Sequence, residues 1–160
     1  MVRLIRCAIV VGALGVGVTA SSAEYRIQRD FGGHIGSYLH KFGQVRESGQ
    51  RVVIDGPCLG ACTLALAVIP RDRLCMTPNA VLGFHAAWTP GAYGPVIAGV
   101  PANWMRDGTD RPIKSAGGTS LLMAAYPAKI KSWIIERGGL SGKMIFLRGL
   151  ELASLYPTCN

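Results

Sequence analysis

The sequence predicts an α/β fold in which helices cover short, mostly parallel strands. Three observations carry this expectation. Short β-branched or apolar runs alternate with longer segments of helical period, the strand–helix–strand order of a parallel sheet. Two of those strand-to-helix junctions are rich in glycine, at Asp30-Phe31-Gly32-Gly33 and at Gly56-Pro57-Cys58-Leu59-Gly60. The segment that follows the second junction, Gly60 to Ile69, is apolar on nearly all sides, as a helix buried in a core would be.

Taken in order, residues 1–23 are expected to stand apart from the fold. Met1 to Arg6 carries two arginines, Cys7 to Ala20 is an apolar run, and Ser21-Ser22-Ala23 offers small residues to a signal peptidase. This is the three-part pattern of a secretory signal peptide, and the run is short for a spanning helix. We expect cleavage near Ala23 and an exported protein, periplasmic or extracellular. The alternative is an uncleaved anchor formed by residues 7–20. Residues 24–160 then make a single domain by length.

Gly33 to Ser48 reads as an amphipathic helix, with Ile35, Tyr38, Leu39, Phe42 and Val45 on one stripe and Gly49 as its C-cap. Arg51 to Asp55 is a buried strand, Gly60 to Ile69 a buried helix stopped by Pro70, and Leu74 to Thr77 and Val81 to Phe84 two further strands. Residues 88–118 hold six glycines and four prolines and read as an irregular excursion, a lid or an interface arm. Thr119 to Arg137 is helical with a break at Pro127. Gly138-Gly139 ends it, and Ser141 to Leu147 is expected to open another short helix.

Charge and cysteines narrow the function classes. The net charge is +8, and +6 once Arg3 and Arg6 leave with the signal. The excess is scattered, with no basic block interleaved with aromatics, so nucleic acid is not an expected partner. Mild attraction to anionic groups is what this charge supports. Four cysteines remain after the signal: Cys58, Cys62, Cys75 and Cys159. An even number in an exported chain predicts two disulfides, with three pairings open. Their spacings match no common zinc pattern, and neither a metal nor a cofactor is expected.

The two glycine junctions bear on chemistry. Each feeds a helix N-terminus, where backbone N–H groups lack intrahelical partners. Two such ends facing one another would form an oxyanion hole, and glycine lets a carbonyl approach the backbone closely. His85 follows 25 residues after Gly60, at the end of the strand-like Ala80 to Phe84.

Gly32-Gly33, the turn Gly56 to Gly60, and Pro78 through His85, in that order and spacing, resemble the superfamily of the Clp protease proteolytic subunit and the crotonases. The resemblance covers residues 27–88 and, more weakly, 119–157. It implies the superfamily's spiral of short parallel strands covered by helices. No residues between Ala23 and Asp30 match the opening strands of that family, so the resemblance implies a shorter sheet. It also implies roles: Gly32, Gly33 and Ala61 in the oxyanion or binding groove, His85 as the catalytic histidine, Gly60 at the nucleophile position, and Glu151 as the third triad member. His34 and His40 are expected to be solvated, and Asp30 and Asp55 to be turn and strand-end residues.

Glycine has no Oγ for His85 to deprotonate, so the usual serine route to an acyl-enzyme is closed at Gly60. Three explanations follow. The first is a peptidase-like body kept for binding a peptide or a carbonyl ligand, without the catalytic serine. The second is an active hydrolase or a crotonase-like acyl-handling enzyme that uses His85 and the backbone N–H groups. Export argues against coenzyme A thioesters as its substrate. The third is a displaced nucleophile at Cys58, Cys62 or Thr63. The first is the expected function. A peptide or protein segment is the partner class it implies, added as a strand beside the groove. Clp-like proteins commonly form rings, so a homo-oligomer is a second expectation, and the oligomeric state stays open.

Overall fold

A computed structural model describes residues 23–89, 96–97, 100–101 and 113–159. The first strand, β1, spans Glu24–Ile27. Helix α1, Ile35–Glu47, returns the chain to β2, Arg51–Ile54, which pairs with β1 in parallel over its whole length. Only Phe42 and Val45 of α1 are fully buried. Gly49 follows with φ 74°, the left-handed position that ends a helix without a Cβ penalty.

The chain then bends at Asp55-Gly56 into β3, Pro57–Leu59. Gly56 is buried there, and a Cβ on it would collide with the Gln28 carbonyl, so this bend requires glycine. A five-residue 3₁₀ turn, Gly60–Leu64, leads into the single turn of α2, Ala65–Val68. The buried helix expected over Gly60 to Ile69 is therefore divided in two. Pro70 ends it, and a further 3₁₀ turn at Arg71–Arg73 leads to β4, Leu74–Met76, and then β5, Val81–Phe84.

Beyond β5, β6 (Trp88–Thr89) pairs antiparallel with β9 (Ile113–Lys114), and β7 (Val96–Ile97) with β8 (Val100–Pro101). Most of the expected 88–118 excursion lies outside the described residues, as do residues 1–22 of the expected signal peptide or anchor. No helix among the described residues is long and apolar enough to cross a membrane. Helix α3, Ala116–Ala125, starts at Ser115, whose hydroxyl accepts from the Gly118 N–H at 3.1 Å. The expected break at Pro127 separates it from α4, Ala128–Glu136.

Two expectations need correction. Residues 141–147 do not open a helix. They lead into a strand, β10, Ile145–Arg148, antiparallel to β5, before the last helix α5, Gly149–Leu155. Leu147 is buried and Phe146 is half-exposed, the period-two pattern of a strand with one covered face. Nor is the opening strand missing, because β1 occupies Glu24–Ile27. Its ladder to β2 supplies the backbone partners that its polar sequence concealed.

Two three-stranded sheets result, ordered β1-β2-β4, all parallel, and β10-β5-β3, with β5 parallel to β3. They are stitched at the bend. Asp30, three residues beyond β1, bridges Cys58 of β3, its N–H donating to the Pro57 carbonyl and its carbonyl accepting from the Leu59 N–H. One apolar core spans both sheets and their helices. Phe84 sits within it, fully buried, edge-on to Tyr126 at 5.4 Å and tilted against Trp133 at 5.5 Å. Each such aromatic pair adds about 0.5–1.5 kcal/mol beyond area burial. This packing fixes the end of β5, where His85 begins.

Candidate functional site

The site forms where the two glycine junctions meet the end of β5. The first junction is held by Asp30. Its Oδ1 accepts from the Gly32 N–H at 2.9 Å and from the Tyr38 hydroxyl, and its Oδ2 accepts from Lys41 Nζ at 3.1 Å. The bond to Gly32 is the Asx turn of an Asp reaching two residues ahead. Asp30 also ties the two junctions together through its backbone. Its N–H donates to the Pro57 carbonyl and its carbonyl accepts from the Leu59 N–H, both at 2.8 Å. Burial works to raise the Asp30 carboxyl. The hydrogen bonds from Tyr38, Gly32 and Lys41 outweigh it and hold the group below the ordinary carboxylate range. Burial, and then the bond to Asp30, push the Tyr38 hydroxyl up.

The second junction is held covalently. Cys58 and Cys62 form a disulfide whose Cα atoms are 5.2 Å apart, and it straddles Gly60. Thr63, fully buried, donates to the Gly60 carbonyl at 2.7 Å. That spends its one proton, so the Tyr126 hydroxyl is the donor in the 2.6 Å contact with Thr63 Oγ1. Burial raises Tyr126 to about 12. Cys75 and Cys159 form the second disulfide and tie the C-terminus to β4, closing 84 residues. The displaced-nucleophile explanation fails here. Both cysteine sulfurs beside Gly60 are bonded to each other, and Thr63 is committed on both sides within the core.

At the apex, Gly60 has φ 54°. A Cβ built on it would lie 2.9 Å from His85 Nε2. A Cβ built on Gly32 would lie 2.5 Å from the Leu59 carbonyl oxygen and 2.9 Å from the Ala61 nitrogen. The fold therefore brings Gly32, Gly60, Ala61 and the imidazole of His85 together, from parts of the sequence 53 residues apart at the extremes. Ala61 is the second residue of the 3₁₀ turn, where a backbone N–H has no partner within the turn. Gly33, the next residue after Gly32, is exposed.

His85 is half-buried. Its Nδ1 lies 2.6 Å from the Ala86 carbonyl and 3.0 Å from Trp88 Nε1. The first can only accept and the second can only donate, so one nitrogen cannot serve both. The carbonyl contact is shorter, and the carbonyl cannot turn away without moving the backbone. The half-exposed Trp88 can turn its N–H to water. We therefore assign Nδ1 as the donor to Ala86, which leaves Nε2 aimed at Gly60.

Glu151 is elsewhere. It pairs with Arg137 on the surface of α5, and neither partner of the His85 ring is a carboxylate. The group that meets His85 Nδ1 at 2.6 Å is the Ala86 carbonyl. His34 and His40 are exposed. Asp55 accepts from Thr77 at 2.6 Å, Arg26 at 2.8 Å and Asn79 at 3.2 Å, a strand-end role. No group of three or more potential metal ligands occurs among the described residues. Sequence reasoning missed Tyr38 and Lys41 as supports of the Gly32 turn, and no local signal marked them. Comparison with protein-family models and with characterised proteins finds no match.

Proposed function

We propose that this chain is an exported peptidase-like domain of the Clp and crotonase type that lacks its nucleophile and binds a peptide or carbonyl ligand at the Gly32–Gly60 junction. One observation carries the reading. The position that a serine Cβ would occupy at Gly60 lies 2.9 Å from His85 Nε2, so a hydroxyl one bond further out would fall within reach of that nitrogen. The Ala61 N–H, without a partner inside its 3₁₀ turn, is the donor that this reading gives to an oxyanion. Binding needs neither the hydroxyl nor a covalent step, and losing a nucleophile leaves an oxyanion hole intact. The two disulfides and the apolar run at residues 7–20 support export.

The test is labelling of the full-length chain by a fluorophosphonate. Wild type should not label. Gly60→Ser should label, and Gly60→Ser with His85→Ala should not. Failure of the single variant to label, while it remains folded by circular dichroism, would sink the proposal. The Ala86 contact favours a second reading, because an Nδ1 donor leaves Nε2 free to take a proton. In that reading His85 activates water, and wild type would hydrolyse a p-nitrophenyl ester at a rate that His85→Ala abolishes.

A further inference from the structure

The two disulfides sit in different surroundings. Cys58 and Cys62 are both fully buried within the apolar core. Cys75 lies across the sheet from that core. In β2, Val52 and Ile54 belong to the core and pair with Leu74 and Met76 of β4. By the period of two, Arg51, Val53 and Cys75 take the other face of the same sheet. There Arg51 Nη2 donates to Cys75 Sγ at 3.3 Å. Cys75 is only 2 % exposed, whereas its partner Cys159, beyond the last helix, is half-buried. We propose that Cys75–Cys159 is a site of thiol–disulfide exchange with an external dithiol, attacked at Cys159 and released at Cys75 against the Arg51 guanidinium. This stands independently of any ligand at Gly60.

The incoming thiolate forms a bond to Cys159 Sγ, and the bond from Cys159 to Cys75 breaks. Its electron pair goes to Cys75 Sγ, which leaves as a thiolate beside Arg51. A cation next to the sulfur favours the thiolate, and a better leaving group departs faster. The second thiol of the dithiol then attacks the reductant sulfur of the mixed disulfide and frees Cys159. The dithiol ends oxidised to a disulfide, and its two protons pass to the two cysteines. Attack in the opposite sense would have to reach the buried Cys75. Arg51 is open for this part. Glu24, its partner in the β1–β2 ladder, pairs with Arg26, as does Asp55. Among the described residues no carboxylate pairs with Arg51. The exchange releases the segment after α5. The Met76 N–H donates to the Pro157 carbonyl at 3.0 Å, and the Cys159 N–H donates to the Met76 carbonyl at 2.9 Å. Those two bonds cover the outer edge of β4, the last strand of its sheet. A short segment held by so few bonds frays once its covalent tie is cut.

The test follows the four cysteines in the folded full-length chain, with Cys7 first blocked by N-ethylmaleimide. Dithiothreitol is added without denaturant, samples are quenched with iodoacetamide, and peptide mass spectrometry reads each cysteine. Cys75 and Cys159 should become free at least about tenfold faster than Cys58 and Cys62. Glutathione in place of dithiothreitol should leave its mixed disulfide on Cys159, trapped by the same quench. Arg51→Gln should slow the opening of this pair about three- to tenfold, and Arg51→Lys should recover part of the loss. A merely structural role for Arg51 predicts the opposite sign, because a loosened sheet opens its disulfide faster. Amide exchange at Cys159 and Met76 should rise in the reduced protein while Ile54 stays protected. Equal rates for the two disulfides, or glutathione found on Cys75, would overturn the exchange site. An Arg51→Gln chain that opens as fast as wild type or faster would overturn the part given to Arg51. A Cys159 amide still protected after reduction would overturn release of the segment.

Discussion

The two turns that meet at the candidate site each carry a glycine at positive φ, 84° at Gly32 and 54° at Gly60, yet a Cβ would meet different neighbours in the two. At Gly32 it meets backbone, the Leu59 carbonyl oxygen and the Ala61 nitrogen. Those atoms belong to the ladder and turn that hold the apex, and they cannot move alone. At Gly60 it meets only the His85 ring, the far end of a side chain that can swing by a few tenths of an ångström. Gly32 is thus required by the fold. Gly60 is not, beyond the ordinary strain of a left-handed residue. A serine could stand at Gly60 with modest adjustment, so packing does not explain its absence.

That contrast is open to direct attack. Gly32→Ala should cost more than about 3 kcal/mol, the range of mutations that force a buried backbone clash. Gly60→Ala should cost about 1–2 kcal/mol, the penalty for an L-residue in the left-handed region. Urea denaturation of the two variants side by side measures both. Equal costs would mean that the His85 ring is as fixed as backbone, and the contrast between the turns would collapse.

The turns also differ in how they are held, which gives the next largest effect. The Gly60 turn is stapled by Cys58–Cys62 and the Gly32 turn by the Asp30 carboxylate. Replacing both Cys58 and Cys62 with alanine should cost about 2 kcal/mol, because the closed loop is only a few residues long and little denatured-state entropy is at stake. The double variant in the Gly60→Ser background should lose fluorophosphonate labelling by more than its stability loss explains. Unchanged labelling would show that Thr63 and the core fix the apex without the disulfide.

What the sequence revealed follows the same division between local and distant causes. The glycine junctions, the even cysteine count and the histidine at the end of β5 are local chemistry, and each could be read from neighbouring residues. β10 shows no apolar–polar alternation in sequence, since Phe146 is apolar like Ile145 and Leu147, and the expectation of a helix over Ser141 to Leu147 hid it until the ladder to β5 set one face against the core. β1 was hidden because Glu24-Tyr25-Arg26 reads as polar, and only the ladder to β2 makes it a strand. The supports of the Gly32 turn were illegible for another reason. Tyr38 and Lys41 lie eight and eleven residues beyond Asp30, and Tyr38 read as one more apolar stripe position of α1. Its ring does face inward, but its hydroxyl serves a carboxylate that only the folded chain brings near.

Because the Gly32 turn is held by an ionised group, acid should loosen it, whereas the stapled Gly60 turn has no such dependence in its disulfide. The folded-state pKa of Asp30 lies below its unfolded value. Burial opposes this, but the bonds from Tyr38, Gly32 and Lys41 prevail. Its contribution to stability is therefore fully present above the unfolded pKa, near 4, and is lost as pH falls through the lower folded value. Asp30→Asn should cost about 1 kcal/mol at neutral pH, the scale of one charge-assisted contact that is partly open to solvent. The gap between wild type and variant should close as the pH falls below about 4. Asp55 is held low by Thr77, then Arg26 and Asn79, so it contributes an acid dependence of its own that Asp30→Asn leaves in place. Asp55→Asn is accordingly the control. In the Gly60→Ser background it should leave labelling at neutral pH unchanged, while Asp30→Asn lowers it. A pair of variants that lower labelling equally would mean that Asp30 stabilises the domain as a whole and has no special hold on the Gly32 turn.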